Sequence, residues 1–205
     1  MKKDKIGLIR NFGNLPNNIL NAFLKVKRED FVLDEFKYLA YKDVALPILC
    51  DQTISQPSTI VYMLELLELE KRQKILEIGT GSGYNAALMA EIVEPGKVYT
   101  IEIIKELHEF AKKNLKNYKN IILLNQDGSL GLKEFAPFNR IIFTAACPEI
   151  PYNLVDQLKE NGILVAPVGE HYQEMIKIVK TKEGDKISNY GKFEFVKLKG
   201  KKGFK

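Results

Sequence analysis

Cysteine and histidine are scarce in this sequence, and tryptophan is absent. The 205 residues include only Cys50 and Cys147, and only His108 and His171. The two cysteines lie far apart, and neither a Cys-x-x-Cys pair nor a histidine cluster accompanies them. We therefore expect no disulfide framework and no metal site, and the reduced thiols fit a cytoplasmic protein.

Long apolar runs are also lacking. The basic start "MKKDKIGLIRNFGN" is not followed by the apolar segment of a signal peptide, and no run is long enough to span a membrane. No internal repeat or low-complexity linker divides the chain. These absences predict a soluble, intracellular protein without a membrane partner. The sequence does not give the oligomeric state, and a monomer is our expectation.

Charge of one sign does not dominate the sequence. The 31 basic residues exceed the 26 acidic residues by a net charge of +5, and the two kinds are interspersed. This mixture argues against a long polyanion-binding surface, so no nucleic-acid partner is expected. The lysine-rich tail "KLKGKKGFK" (residues 197–205) is an exception. Contact with nucleic acid or an acidic partner is an alternative there, but we expect a frayed, solvated terminus.

The hydrophobic pattern predicts an α/β fold. Helix-like spacing over residues 16–41 predicts two short helices, and a third, largely buried helix is predicted from Thr59. From residue 74, short β-rich runs alternate with helical runs, which is typical of β-α units on a parallel sheet. After Gly169, two alternating runs around a Glu-Gly-Asp turn predict an antiparallel hairpin at the sheet edge.

One helix in this alternation has marked ends. Pro151 suits the first turn of a helix over "YNLVDQLKE", and Asn161-Gly162 suits its left-handed stop. We therefore predict a full helix between these two signals.

A glycine loop joins a buried strand to a helix in "KILEIGTGSGYNAALMA". Gly79, Gly81 and Gly83 let the backbone turn sharply and come close to a ligand at the helix N-terminus. A dinucleotide fingerprint needs its third glycine one place later, where Tyr84 lies. The spacing therefore disfavours a pyrophosphate and favours a ligand without phosphate.

Acidic residues accompany this loop. Glu102 ends the next strand, about 20 residues on, where a carboxylate can reach a ribose diol. Asp127 ends the third strand before Gly128 and suits an adenine amino group, although an Asp-Gly turn is an open alternative. Glu77 faces either the ligand or the core. A neutral nucleoside that bears a positive charge fits such a site, and S-adenosylmethionine is the ligand that we predict.

Motifs spread over nearly the whole chain point to one family. They are "REDFV", "LAYKDVALPI", "QTISQP", "LEIGTGSGY", "VYTIE", "QDGSLG", "APFNRIIFTAACPEIPYNLVDQLKENGILVAPVG" and "FVKL". The glycine motif alone indicates only a methyltransferase, whereas "QTISQP" together with "TAACPEIP" is far more specific. With these motifs the chain resembles the protein-L-isoaspartate O-methyltransferases.

The resemblance implies a Rossmann-like, seven-stranded, mostly parallel sheet with the C-terminal hairpin as its last two strands. It implies one methyltransferase domain over residues 1–205. Residues 1–57 would form a helical extension with a substrate and cofactor loop, residues 58–170 the cofactor-binding core, and residues 171–205 the hairpin and basic tail.

The resemblance also implies an activity. S-adenosylmethionine would donate a methyl group to the free carboxylate of L-isoaspartyl residues in damaged proteins and peptides, leaving S-adenosylhomocysteine. The ester would close to a succinimide, whose hydrolysis restores some normal aspartate. The implied cofactor-binding residues are Glu77, Gly79, Gly81, Gly83, Glu102, Asp127 and Gly128.

The hydroxyl-rich "QTISQP" segment is implied to cover the cofactor and line the substrate pocket, which makes Thr53 and Ser55 substrate-binding residues. An α-type carboxylate, with a pKa near ~3.5, is ionised at neutral pH, so no general base is needed. Ser55 is the catalytic candidate, because its hydroxyl can donate to one carboxylate oxygen and leave the other free to attack. Helix capping by Ser55, and a supporting role for Thr53, are the alternatives.

Two departures from the family pattern matter. Leu49, Cys50 and Asp51 occupy a usually glycine-containing segment, so the resemblance does not define that loop. Cys147 stands where small residues are usual, and we expect a packed thiol there. Other functions stay open on the sequence: methylation of another carboxylate or small-molecule oxygen, a non-catalytic cofactor-binding module, and, weakest, a dinucleotide dehydrogenase.

Overall fold

The computed structural model describes residues 2–205, with side chains from Asp4 onward. Its α-helices are α1 (Lys2–Asn11), α2 (Asn17–Lys25), α3 (Pro57–Leu67), α4 (Tyr84–Val93), α5 (Lys105–Asn114) and α6 (Tyr152–Val155). Its strands are β1 (Leu46–Pro47), β2 (Thr53–Ile54), β3 (Lys74–Ile78), β4 (Lys97–Glu102), β5 (Ile121–Asn125), β6 (Phe138–Phe143), β7 (Leu158–Val168), β8 (Gln173–Val179) and β9 (Lys186–Phe193). No helix in this range is both long and apolar enough to cross a membrane.

A seven-stranded sheet forms the centre of the fold, with the order β5-β4-β3-β6-β7-β8-β9. The strands from β3 to β7 pair in parallel, β8 pairs antiparallel with β7, and β9 pairs antiparallel with β8. The predicted α/β fold and its C-terminal hairpin are thus confirmed. Because β6 returns to the other side of β3, the direction of strand addition reverses beside β3. Ligands bind outside the carboxyl ends of the strands at such a reversal.

Two hydrophobic clusters cover the two faces of this sheet. Ile75 and Ile142 belong to one cluster, whereas their neighbours Leu76 and Ile141 belong to the other. Successive side chains of a strand point to opposite faces, so both faces of β3 and β6 are covered. This double burial explains why these strands read as continuous apolar runs rather than as alternating ones.

The N-terminal region differs in part from the prediction. α2 confirms the first of the two helices expected over residues 16–41, but two 3-10 turns, Arg28–Asp30 and Asp34–Leu39, replace the second. Leu33 between them has an extended backbone (φ −65°, ψ 151°). The apolar residues of this stretch therefore reach the core from a bent chain and not from one helix face.

The prediction of a full helix after Pro151 is wrong. α6 ends at Val155, and the Lys180 ammonium group donates hydrogen bonds to the carbonyls of Val155, Asp156 and Leu158. This contact from the sheet satisfies carbonyls that a longer helix would have bonded itself.

Asn161 has the left-handed backbone that the sequence indicated (φ 59°), but it lies within β7. The register against β6 shifts in this part of β7, so the residue belongs to a bulge.

The lysine-rich tail is folded onto the protein rather than frayed. The Lys201 N–H donates to Asp127 Oδ2 (2.8 Å), and the Lys202 N–H donates to Ser129 Oγ (3.1 Å). The Phe204 N–H returns to the Leu198 carbonyl (3.0 Å). The lysine side chains themselves are exposed. The composition correctly indicates that the lysine side chains of the tail are solvated. It gives no sign that the tail backbone binds to Asp127 and Ser129.

Candidate active site

A cavity of about 890 Å³, counting the space open to solvent, lies at the carboxyl ends of β3 and β4. We call it the main cavity. The glycine loop, the end of β4, residues 52–55 and residues 196–199 contribute to its lining.

The glycine loop forms the part of the main cavity that follows β3. Gly79 (φ 97°) and Gly81 (φ 55°) line it, and a Cβ atom at Gly79 would lie 2.5 Å from Thr144 Oγ1. Gly83 does not line the cavity; it precedes α4 with a left-handed backbone (φ 88°) and packs against Leu115. Two of the three predicted glycines are therefore placed for ligand contact, and the third shapes the turn.

Glu102 lies where the sequence predicted a ribose-binding carboxylate. Its side chain lines the main cavity, Oε2 accepts the Gly81 N–H (2.9 Å), and Oε1 accepts the Ile104 N–H (3.0 Å). Burial raises the pKa of Glu102, although these N–H donors act in the opposite direction. Each oxygen keeps a lone pair, so the group can also accept from two vicinal hydroxyls. This remaining acceptor capacity fits the two hydroxyl groups of a ribose.

Glu77 faces the core, which decides between the two roles left open for it. It is wholly buried, with Oε2 accepting from Thr100 Oγ1 (2.6 Å) and Oε1 from Asn85 Nδ2 (2.8 Å). Burial raises the pKa of Glu77 to about 7. Glu77 does not line the main cavity, but it orients Asn85, which does.

Asp127 and Gly128 have separate places. Gly128 lines the main cavity, and a Cβ atom there would lie 3.0 Å from Ile78 Cγ2. Asp127 does not line it: Oδ1 accepts the Ser129 N–H (2.8 Å), and Oδ2 accepts from the tail at Lys201. Partial burial acts to raise the pKa of Asp127, but these hydrogen bonds outweigh it and lower the pKa. The structure thus shows the Asp-Gly turn and does not bring the Asp127 carboxylate into the cavity.

A smaller cavity of about 380 Å³ adjoins the main one, and we call it the side cavity. Four residues line both cavities: Thr53, Ser55, Thr144 and Val196. The two hydroxyl residues predicted to bind substrate therefore lie at the junction of two spaces. Glu194 contributes the one charged side chain among the residues that line the side cavity.

Ser55 does not cap α3. The N-cap residue of that helix is Gln56, which makes no side-chain cap, and Asp43 Oδ1 accepts the Ser58 N–H (2.8 Å) at its first turn. The hydroxyl groups of Thr53 and Ser55 have no hydrogen-bond partner among residues 4–205. The capping alternative for Ser55 is therefore wrong, and its hydroxyl is available to a ligand.

Sequence reasoning missed several residues that line these cavities. Asn85 lies in the first turn of α4, and its Oδ1 is buried without a partner in the described part of the chain. Thr144 follows β6 and donates to the Ile78 carbonyl (3.1 Å). The positions of these two residues, just after the glycine loop and at a strand end, were available signals. Nothing in the sequence signalled that residues 196–199 reach the site.

The described residues contain no group of three or more His, Cys, Asp and Glu side chains that could hold a metal ion. Cys147 is a buried, packed thiol as expected, and burial raises its pKa. Cys50 is exposed.

Comparison with known proteins gives a consistent result. Residues 2–203 match the family model for protein-L-isoaspartate(D-aspartate) O-methyltransferase. The protein-L-isoaspartate O-methyltransferase of Dictyoglomus turgidum is 45% identical over 207 residues, covering 100% of this chain and 93% of the relative.

Two solved structures resemble the fold along almost the whole chain. A protein-L-isoaspartate O-methyltransferase superposes with a TM-score of 0.91 at 29% identity, covering 99% of this chain and 67% of the other. A Plasmodium falciparum protein assigned to the same enzymes, in complex with S-adenosyl-L-homocysteine, gives a TM-score of 0.83 at 26% identity, with 97% of each chain covered. The chain therefore belongs to the protein-L-isoaspartate(D-aspartate) O-methyltransferase family.

Proposed function

We propose that this chain repairs damaged proteins by transferring the methyl group of S-adenosylmethionine to the free carboxylate of L-isoaspartyl residues, and that Ser55 positions that carboxylate. Membership of the family supports the reaction and the cofactor. The observation that carries the role of Ser55 is its place at the junction of the two cavities, with a hydroxyl that has no partner among residues 4–205.

The residues of the main cavity fit the cofactor. Glu102 has free acceptor capacity for ribose hydroxyls, a Cβ atom at Gly81 would lie 3.6 Å from Ile48 Cδ1 in ordinary contact, and Asn85 Oδ1 lacks a donor in the described structure. When bound, S-adenosylmethionine supplies an electrophilic methyl group on a positively charged sulfur. Glu102 and Asn85 would hold the cofactor, while the side cavity would take the isoaspartyl segment.

The substrate carboxylate needs no base, because it is ionised at neutral pH. The protein has to align one carboxylate oxygen with the methyl group and to exclude water, and such positioning can lower the barrier by roughly 7–11 kcal/mol. The Ser55 hydroxyl donates to the second oxygen and so fixes the direction of the first. Thr53, on the same junction, supports the orientation of the segment.

The variant Ser55→Ala should methylate an L-isoaspartyl peptide more slowly than the wild type. A hydrogen bond to a charged group contributes about 1.5–3 kcal/mol, so kcat/KM for an L-isoaspartyl peptide should fall about 10- to 100-fold. The measurement is transfer of labelled methyl groups from S-adenosylmethionine to paired peptides that differ only in L-isoaspartate or L-aspartate. Only the isoaspartyl peptide should be labelled.

Ser58→Ala is the matched control. Ser58 Oγ accepts a hydrogen bond from Gln56 Nε2 (2.8 Å) and lines neither cavity, so its loss should leave kcat/KM within about twofold. Equal activity of the Ser55→Ala variant and the wild type would remove Ser55 from the mechanism. Failure of the wild type to label the isoaspartyl peptide, although it binds the cofactor, would overturn the proposed substrate.

We also propose the setting of this reaction. The chain works as a single methyltransferase domain and a monomer in the cytoplasm, without a nucleic-acid or membrane partner. Support comes from the free state of both cysteines and from the interspersed charges. Flexible segments are the expected substrates, since the backbone on both sides of an isoaspartyl residue has to leave the small side cavity.

A further inference from the structure

Arg28 is a wholly buried cation directly behind the hydroxyl-rich segment. Its side chain is 0% exposed, and only Nη2 forms hydrogen bonds, donating to the carbonyls of Ser55 (3.1 Å) and Val44 (3.3 Å). Nε and Nη1 are buried and have no partner in the described part of the protein. Three of the five guanidinium N–H groups therefore have no hydrogen-bond partner among residues 4–205.

The charge of Arg28 is not matched by a bonded carboxylate. Burial lowers the pKa of Arg28 to about 10, so the side chain is still charged at neutral pH. No salt bridge to Arg28 occurs among residues 4–205. Tyr84 places its ring 5.8 Å from the guanidinium carbon, and the Tyr41 hydroxyl donates to Glu29. Asp43 is within electrostatic range but uses Oδ1 to accept from the first turn of α3.

An unpaired buried charge is costly, whereas a buried charge beside an anion is favourable. The nearest place where the proposed function brings an anion is the junction at Ser55, one peptide group away from the guanidinium. The bound carboxylate would then act as the missing counter-charge, and the attraction of Arg28 has to exceed the repulsion from Glu194, which lines the side cavity. A buried charge is screened little by salt, so it can act over that distance.

We propose that Arg28 is a positioning residue that makes the side cavity selective for an anionic substrate group, acting through the Ser55 peptide and not by direct contact. This inference rests on the proposed function. It assigns to Arg28 both a mechanical role, holding the segment of residues 53–55, and an electrostatic one. The electrostatic role is the part that a merely structural residue would lack.

The test compares Arg28→Lys with Arg28→Gln, because lysine keeps the charge whereas glutamine keeps only hydrogen-bond donors. Two peptides are titrated into enzyme saturated with S-adenosylhomocysteine: an L-isoaspartyl peptide, and the same peptide with a neutral carboxamide in place of the free carboxylate. The ratio of the two Kd values reports the preference for the anion. Arg28→Gln should reduce this preference about tenfold, and Arg28→Lys should keep it within about threefold.

An equal loss of affinity for both peptides in Arg28→Gln would show that Arg28 only holds the segment, and it would overturn the proposal. Wild-type enzyme supplies a second test that does not depend on folding of the variants. Its preference for the carboxylate should persist at about 0.5 M salt if a buried charge is the source. Loss of the preference at that salt concentration would assign it to exposed lysines such as Lys197 and Lys199 instead.

The two proposals fail in different ways. If the wild type binds and methylates the isoaspartyl peptide but Arg28→Gln keeps the full anion preference, only the role of Arg28 is wrong. If the wild type does not accept that peptide, the proposed function is wrong.

Discussion

The carboxyl group of Glu77 lies beneath the glycine loop, out of contact with water. Thr100 donates its single hydroxyl hydrogen to Glu77 Oε2, so Thr80 Oγ1, 2.6 Å from Thr100 Oγ1, has to be the donor of that pair. On the other side, Glu77 Oε1 accepts from Asn85 Nδ2 and thereby turns Asn85 Oδ1 away from itself. A residue that touches no ligand thus fixes the orientation of one that lines the main cavity.

The buried Glu77 should make stability depend on pH. Its pKa is raised from an ordinary 4.5 to about 7, so the folded state holds the proton more tightly than the unfolded state. The resulting stabilisation is complete below about pH 4.5 and is lost as the pH rises through about 7. We expect the free energy of unfolding to fall by on the order of 2–3 kcal/mol from this group between pH 5 and pH 8.

Chemical denaturation at several pH values, with wild type and Glu77→Gln in parallel, measures this contribution. Glutamine does not titrate. The difference in the free energy of unfolding between wild type and Glu77→Gln should therefore shrink or change sign between pH 5 and pH 8. Parallel pH profiles for the two proteins would contradict the prediction.

At the scale of single elements, the turn between β1 and β2 carries strain. Cys50 (φ 59°) and Asp51 (φ 56°) are both left-handed, and the Gln52 N–H donates to the Leu49 carbonyl (3.2 Å) across them. Two-residue hairpin turns of this kind favour glycine, asparagine or aspartate. The segment of residues 49–51, which departs from the usual glycine-containing pattern, therefore still forms a tight turn. The hydroxyl-rich segment, which contains β2, follows this turn directly.

Replacing Cys50 by glycine should stabilise the protein. A left-handed residue with a Cβ atom costs about 1–2 kcal/mol, from which the greater freedom of glycine in the unfolded chain subtracts about 0.4–1 kcal/mol. We expect a gain of about 0.5–1 kcal/mol for Cys50→Gly. The gain should be smaller for Asp51→Gly, because aspartate tolerates this conformation better.

Thermal and urea unfolding of both variants measures these gains, with Leu49→Gly as the control. Leu49 does not have a positive φ, so glycine there should destabilise the protein. A loss of stability in Cys50→Gly would show that the turn is not strained.

At the scale of the whole molecule, local sequence signals gave the sheet and its helices but not the connections between them. β3 and α4 flank the glycine loop as predicted, because apolar runs and glycines act locally. The error at α6 arose from a long-range contact, since Lys180 in a later segment bonds the carbonyls at its end. Such a contact leaves no local pattern in the sequence.

The site shows the same division between local and long-range information. Glu102, Gly79 and Gly81 were predicted from spacing around one loop, and all three line the main cavity. Arg28 and the segment of residues 196–199 come from opposite ends of the chain, and only the folded structure brings them to the site. The prediction that Asp127 binds the ligand rests on its place at the end of a strand before Gly128, and that local position gives no sign of its bond to the tail.

The docked tail makes the C-terminus part of the binding site. Residues 196–199 line the main cavity, and the backbone N–H groups of Lys201 and Lys202 tie the following turn to Asp127 and Ser129. Deletion of residues 200–205 removes both hydrogen bonds and should loosen this wall. We expect the affinity for S-adenosylhomocysteine, measured by calorimetry, to fall about tenfold, which corresponds to about 1.4 kcal/mol.

The control for this deletion is the double variant Lys201→Ala, Lys202→Ala, which removes two charges but keeps both N–H donors. Because the hydrogen bonds are donated by backbone N–H groups, the Kd of this variant for S-adenosylhomocysteine should be within about twofold of the wild-type value. If the double variant loses as much affinity as the deletion, the lysine charges and not the docked backbone maintain the site. If the deletion binds as the wild type does, residues 196–199 keep their place without the turn that follows them.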